Sequence, residues 1–154
     1  MSLLEQLNND LKTALLAHDE DRKRTIRSVK TAATNAIIEK RATEGLSASL
    51  SDEEVLKVIA KQANQRRDSI AEFSKAGRMD LVAQEQAELA ILQEYLPKQL
   101  SPDEVSTIVQ QVIAETGASS AKDMGLVMRT AMARLQGLAD GKQVNQLVRD
   151  LLGS

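Results

Sequence analysis

The chain has 154 residues, of which 42% are hydrophobic and 27% charged, and its formal net charge is −2. The absence of cysteine excludes disulfides, thiol catalysis and cysteine metal sites, and the charge gives no overall attraction to nucleic acid. One Phe, one Tyr and no Trp require an aliphatic core, and the abundance of Ala, Leu, Gln, Glu and Lys favours helix. We therefore predict an all-α protein with one domain or two small ones.

Four helices are predicted in the first part of the chain. Ser2 and Glu5 form a capping box that starts the first, Asp19 is the predicted N-cap of the second, and Ser51 starts the third. The predicted helices cover about 3–17, 20–41, 52–76 and 80–95, and Gly77 closes the third. Apolar residues at helical spacing predict the buried face of each. On the fourth helix these residues are Leu81, Leu89 or Ala90, Leu92 and Leu96.

Pro97 ends the fourth helix, because proline disfavours helical geometry in the residue before it. Three more helices follow. The first covers about 102–115 with Ser101 as its N-cap, the second runs from a cap at Asp123 or Ser120 to its end at Gly137, and the third covers 141–152 with Asp140 as its N-cap. Their predicted buried faces include Val127, Met128, Ala131, Leu135, Val144, Leu147, Val148 and Leu151. We therefore predict an N-terminal antiparallel four-helix domain, residues 1–97, and a small three-helix tail domain, residues 98–154.

No residue pattern points to catalysis. Ser119 and Lys122 have the spacing of a Ser-x-x-Lys nucleophile, but companion motifs are missing and helix capping explains them better. His18 is the only histidine and does not make a metal constellation with its acidic neighbours. We therefore expect no catalytic residue, no metal and no cofactor in this chain.

Basic residues at helical spacing form candidate surfaces for binding nucleic acid. In the tail these are Lys122, Arg129, Lys142 and Arg149, with the polar Asn145 on the same face as Lys142 and Arg149, and in the second helix Arg24, Arg27 and Lys30. Such side chains contact phosphates and ribose hydroxyls in RNA complexes. A solvated helix surface with ion pairs is the alternative reading of the same pattern.

Several segments resemble the YqeY family over essentially the whole chain. The most specific runs from Arg67 to Pro97, and the segment from Gly117 to Leu152 is also similar to the tail domain of the GatB subunit of tRNA-dependent amidotransferases. The resemblance implies a helical domain followed by a three-helix tail associated with transfer RNA. The tail pattern commonly has basic residues beside the glycine of its inter-helix turn, whereas this chain has Gln136-Gly137-Leu138.

We therefore expect a cytosolic, non-catalytic accessory protein that binds folded RNA, with tRNA as the first candidate. One alternative is a protein-interaction adaptor that docks through an exposed apolar strip along Leu46, Leu50 and Val55. Another, implied by the resemblance, is an accessory component of a glutamine-dependent carbon–nitrogen ligase, such as a tRNA amidotransferase, that is active only in complex. An amidotransferase or another protein is thus a candidate partner, and we expect neither DNA nor a membrane as partner.

Overall fold

A computed structural model of the chain describes residues 1–135 and 138–153. Within these residues it consists of seven α-helices and one short 3-10 turn, without strands, which confirms the predicted all-α class. The helices are α1 (Leu3–Leu16), α2 (Glu20–Glu44), α3 (Asp52–Lys75), α4 (Met79–Tyr95), α5 (Pro102–Thr116), α6 (Met124–Leu135) and α7 (Gly141–Leu152). The 3-10 turn is Ala121–Asp123. The chain divides into two compact units, Met1–Leu96 and Pro97–Ser154.

Capping residues fix where the helices begin. Ser2 Oγ accepts from the Glu5 backbone N–H at 3.2 Å, and the Glu5 carboxylate accepts from the Ser2 N–H at 2.9 Å. The same reciprocal box forms at Ser51 and at Ser101, and Asp19 caps α2. Each such cap stabilises its helix by about 1 kcal/mol. The predicted helix starts at these residues are confirmed.

The first unit has a core to which all four of its helices contribute. Its buried side chains are Leu7 of α1, Ile26 and Val29 of α2, Val55, Ile59 and Ala63 of α3, and Leu92 of α4. Leu3, Leu4, Leu11, Leu50, Leu89, Tyr95 and Leu96 pack around them and are partly buried. The helices of this unit are therefore held together by aliphatic packing, as the composition predicts.

The buried face of α4 differs from the prediction. Val82, Glu88, Ile91 and Leu92 are buried, whereas Ala90 is exposed and Leu81 and Leu89 are only half-buried. Leu92 is buried as predicted, and Leu89 and Leu96 pack against the core while remaining partly exposed. Apolar residues occur all around this helix, so the spacing of the leucines does not single out one face.

The second unit packs α5, α6 and α7 around its own core. The buried residues are Val105, Val109, Val112, Val127, Ala131, Leu135, Val144, Val148 and Leu152. Met124, Met128 and Met132 are partly buried against this core, consistent with methionine as a filler of irregular gaps. On α7 the prediction erred by one residue, since Leu152 is buried and Leu151 is 39% exposed. The predicted helix end at Gly137 lies outside the described residues.

Among the described residues, none of the helices combines the length and the apolar character required to cross a membrane.

Two glycines are expected to respond to alanine with opposite signs. Gly77 lies at the end of α3 with φ of 71°, and the N–H of Arg78 donates to the Phe73 carbonyl across the turn at 2.9 Å. Gly77→Ala should destabilise the first unit by about 1 kcal/mol, because an L-residue is strained at this φ although a Cβ would meet nothing within 4 Å. Gly125, in the first turn of α6, is equally unobstructed, and Gly125→Ala should stabilise by about 0.5–1 kcal/mol. Urea unfolding of the two variants tests this; the same sign for both would contradict it.

Candidate nucleic-acid interface

The outward face of α7 carries three of the residues predicted to bind RNA. Lys142 and Arg149 are exposed and seven residues apart, which places them on one side of the helix about 10 Å apart along its axis. Asn145 is half-buried between them. The opposite side of α7 is buried in the core, so the helix presents this polar side to solvent.

A hollow lies beside this face and brings α7 together with the start of α6. It has a volume of about 430 Å³ and is lined by Ala121, Met124, Gln146, Arg149, Asp150 and Leu152; we call it the α7 hollow. Lys122, which is exposed, follows Ala121 in the 3-10 turn. The structure thus places the Lys122 turn next to the C-terminal half of α7, where Arg149 lies.

Arg129 belongs to a different surface of the same unit. It lies on the outward side of α6 along an open depression, which we call the α6 depression. The other lining residues are Leu126, Thr130, Ala133 and Arg134, and none of them lines the α7 hollow. Arg134 lies there too, but its guanidinium pairs with Glu115 at 2.6 Å. Arg129 is therefore a separate candidate contact and does not extend the α7 face.

The second unit contains six Lys and Arg and six Asp and Glu residues, so it has no net charge. Most of these acids are engaged locally. Asp140 accepts from the Lys142 backbone N–H at 3.2 Å, Asp123 from the Ser119 N–H at 3.0 Å, and Glu104 closes the capping box of α5. Arg134 holds Glu115 by hydrogen bonds, which lowers the pKa of that carboxyl. These bonds orient the carboxylates without removing their charge, and Lys142 and Arg149 are the two cations that α7 exposes to solvent.

The three candidates on α2 have different surroundings. Arg24 donates from Nε to Glu88 at 2.8 Å and from Nη2 to Asp21 at 2.6 Å, and these bonds raise its pKa. Its guanidinium is thus already engaged by two carboxylates. Arg27 is exposed and Lys30 half-buried, and neither has an ion-pair partner among the described residues. Of the three, Arg27 and Lys30 are the better placed to contact a phosphate.

The structure contains a half-buried polar cluster between α2, α3 and α4 that the sequence analysis did not predict. Glu88 of α4 is only 4% exposed and lies between Arg24 of α2 and Arg66 of α3. Arg66 Nε is 3.1 Å from Glu88 Oε2 and 3.5 Å from Glu85 Oε2. This nitrogen makes no hydrogen bond within the described residues, so its contacts with the two carboxylates are electrostatic.

The cluster continues as a hydrogen-bonded pair between α2 and α3. Ser28 Oγ donates to Gln62 Oε1 at 3.0 Å, and Gln62 Nε2 donates to the Ser28 carbonyl at 3.1 Å. Buried polar groups of this kind can make all their hydrogen bonds in only a few arrangements of the helices. We interpret the cluster as the feature that sets the relative position of these three helices.

Glu85 and Glu94 are expected to affect stability with opposite signs as the pH changes. Burial raises the pKa of Glu85 above its usual value of 4.5, although Arg66 opposes this, so its charged form disfavours the folded state at neutral pH. Glu85→Gln should therefore be more stable than the parent at pH 7, and the difference should shrink as the pH falls towards 4.5. Hydrogen bonds from Arg22 lower the pKa of Glu94, so Glu94→Gln should be less stable at pH 7.

That loss should persist until the pH falls through the lowered pKa of Glu94. Urea midpoints of the parent and both variants at pH 7 and pH 5 test these signs. A Glu85→Gln variant that is less stable than the parent at pH 7 would contradict the assignment.

The apolar strip proposed for a protein partner is not continuous. Leu46 is 88% exposed, but Leu50 is partly buried and Val55 is 1% exposed, because both pack in or against the core of the first unit. The prediction of this strip as a docking surface was wrong. Spacing along the sequence could not distinguish a loop leucine from a core valine at the start of α3.

The described residues contain no group of three or more His, Asp or Glu side chains positioned to hold a metal. His18 is exposed at the end of α1, with φ of 56°. The bonds from the His18 and Asp19 N–H groups to the Leu15 and Ala14 carbonyls close this helix end. His18 thus forms part of the turn that ends α1.

Comparison with known proteins yields several relatives that share one name, "Altered inheritance of mitochondria protein 41, mitochondrial". The relative from Kluyveromyces lactis is 42% identical over 113 residues, which cover 71% of this chain and 57% of the relative. That from Vanderwaltozyma polyspora is 34% identical over 109 residues, covering 70% and 56%. That from Pyrenophora tritici-repentis is 30% identical over 158 residues, covering 99% and 82%. The chain thus spans little more than half the length of the two yeast relatives.

These names place the relatives in mitochondria, which contradicts our prediction of a cytosolic protein. That prediction rested on composition and on the first residues of the sequence, and neither feature identifies a compartment.

The model of the family described as Yqey-like protein matches residues 4–152, which is nearly the whole chain. This match confirms the resemblance inferred from the motifs. The chain therefore belongs to the YqeY family.

Proposed function

We propose that this chain is a non-catalytic accessory protein that binds folded RNA through its three-helix unit, with transfer RNA as the first candidate. The observation that carries the proposal is the outward side of α7, where Lys142 and Arg149 are exposed on one face with Asn145 between them. Lys122 follows Ala121, which lines the α7 hollow together with Arg149, and adds an exposed cation. Phosphate contacts of this kind supply most of the affinity of an RNA-binding surface.

The distribution of aromatic residues favours folded RNA over an extended single strand. Proteins that bind single strands stack successive bases on aromatic side chains. Both aromatic residues here lie in the first unit, where Phe73 is half-buried and the Tyr95 hydroxyl donates to Asp10. The second unit has no aromatic residue in its sequence. Recognition there would depend on the RNA backbone and shape.

The proposal leaves catalysis to other proteins. The α7 hollow and the α6 depression are lined by arginine, threonine, glutamine, aspartate and apolar residues. Neither lining pairs a nucleophile with a histidine or lysine base, the arrangement that activates such a group. A role in a glutamine-dependent ligase would require the active residues to come from another chain.

The test is a fluorescence titration of the purified chain with total transfer RNA and with a mitochondrial transfer RNA fraction, since the relatives are named as mitochondrial. Titrations at about 50 mM and about 150 mM salt should show binding that weakens steeply, because released counterions drive it. A DNA duplex of matched length should bind more weakly. Absence of binding to both RNA samples at low salt would overturn the proposal, and recovery of a protein without RNA in a co-purification would favour an adaptor.

A further inference from the structure

We propose that the α7 hollow receives one unpaired guanine base of the bound RNA. This inference rests on the proposed function and names the part of the RNA that the chain would read. It starts from the position of the hollow, which opens beside the side of α7 that carries Lys142 and Arg149 and is itself lined by Arg149. A base that leaves its stack in a loop could enter the hollow while its neighbours stay outside on the helix surface.

The size and the lining of the hollow suit a single base. Its volume of about 430 Å³ falls within the range of roughly 300–1,000 Å³ that small-ligand sites occupy. Ala121, half-buried Met124 and Leu152, which is 8% exposed, provide an apolar surface. Apolar side chains can hold an extruded base by contact with its faces where aromatic rings are missing.

The polar part of the lining favours guanine. Gln146 Nε2 donates to Asp150 Oδ1 at 2.9 Å, which orients the carboxylate, while Oδ2 and the second lone pair of Oδ1 can still accept hydrogen bonds. Guanine presents two adjacent donors, N1–H and N2–H, that match the two oxygens of a carboxylate. Adenine, cytosine and uracil each place an acceptor beside their donor on that edge, and an acceptor would face the negative charge of Asp150.

Arg149 supplies a positive charge that would bind the phosphate group next to the base. Its guanidinium is exposed, lines the same hollow and makes no ion pair within the described part of the chain. An arginine can hold a phosphate by two parallel hydrogen bonds. The Asp150 carboxylate would then contact the base, and Arg149 the phosphate next to it.

The experiment uses three hairpin RNAs that differ only at one unpaired loop position, which carries guanine, cytosine or no base. We expect the guanine hairpin to bind about 10-fold more tightly than the other two, because a bidentate contact to a base discriminates against the wrong base. Asp150→Asn should remove this preference and keep the salt-dependent binding. Asp103→Asn, an exposed acid in the first turn of α5, is the matched control and should keep the preference.

The outcomes separate this inference from the proposed function. Equal binding of all three hairpins would overturn the guanine site and leave RNA binding intact. If no hairpin binds, the transfer RNA titration decides the proposed function, and titration of the ¹⁵N-labelled chain with GMP and CMP decides the hollow alone. Shifts at Ala121, Met124 and Arg149 with GMP and not with CMP would support the site, and no shift with GMP would overturn it.

Discussion

Replacing Glu88 with alanine is expected to lower the free energy of unfolding of the first unit by about 3 kcal/mol. Glu88 is 4% exposed and is the carboxylate shared by Arg24, at 2.8 Å, and Arg66, at 3.1 Å. Removing it leaves the Arg66 guanidinium, whose side chain is 16% exposed, without its nearest partner. Breaking a buried ion pair on one side typically costs about 3–5 kcal/mol, and the partial exposure of Arg24 places this case at the lower end.

Urea unfolding followed by circular dichroism measures this loss. The matched control is Glu72→Ala on α3, because Glu72 is 75% exposed at its side chain and lies 3.9 Å from Lys75. Exposed pairs contribute roughly 0–1 kcal/mol, so this variant should stay within about 0.5 kcal/mol of the parent. A Glu88→Ala variant that loses less than about 1 kcal/mol would show that the cluster does not hold the three helices.

The second large effect is expected for the double variant Lys142→Ala/Arg149→Ala. Both side chains are exposed on the outward side of α7, and alanine favours helix, so the fold should be retained. Affinity for transfer RNA at about 50 mM salt should fall about 10- to 100-fold. The slope of log affinity against log salt should become shallower by about 2, since each phosphate contact contributes close to 1.

The control for this variant removes two positive charges elsewhere. Lys57 and Lys61 are exposed on α3 and belong to no candidate surface. The variant Lys57→Ala/Lys61→Ala should therefore change the affinity less than about 3-fold, through net charge alone. Equal losses in the two double variants would mean that RNA is held by overall charge and not by the side of α7.

Local signals in the sequence predicted the helices well. The capping boxes at Ser2, Ser51 and Ser101 and the cap at Asp140 each depend on residues within three positions, so they can be read directly. The same holds for Gly77, whose positive φ closes α3. Where a residue's state depends only on its near neighbours, the prediction was correct.

The polar cluster of Glu88 could not be predicted from local sequence signals. Glu88 lies 64 residues from Arg24 along the chain and 22 from Arg66, so its burial depends on helices packing together. Arg24 appeared in the sequence as an exposed cation beside Arg27, and only the structure shows that Glu88 and Asp21 engage it. Because apolar residues occur all around α4, its sequence does not indicate that the side carrying Glu88 is buried.

The candidate interface was predicted in part. The seven-residue spacing of Lys142 and Arg149 on α7 identified one polar side, and Lys122 was included for its charge. The hollow between the 3-10 turn and α7 could not be predicted, because Ala121 and Met124 meet Arg149 only through tertiary packing. Assignment of these residues to RNA remains a prediction.

The measurement that tests the central claim most directly is a heteronuclear NMR titration of the ¹⁵N-labelled chain with transfer RNA at low salt. We predict that amide signals shift or broaden first at Lys122, Lys142, Asn145 and Arg149. The exposed end of α3 near Lys75 should remain unchanged at the same RNA concentration. Changes confined to the first unit, or no change at any RNA concentration, would contradict RNA binding through the three-helix unit.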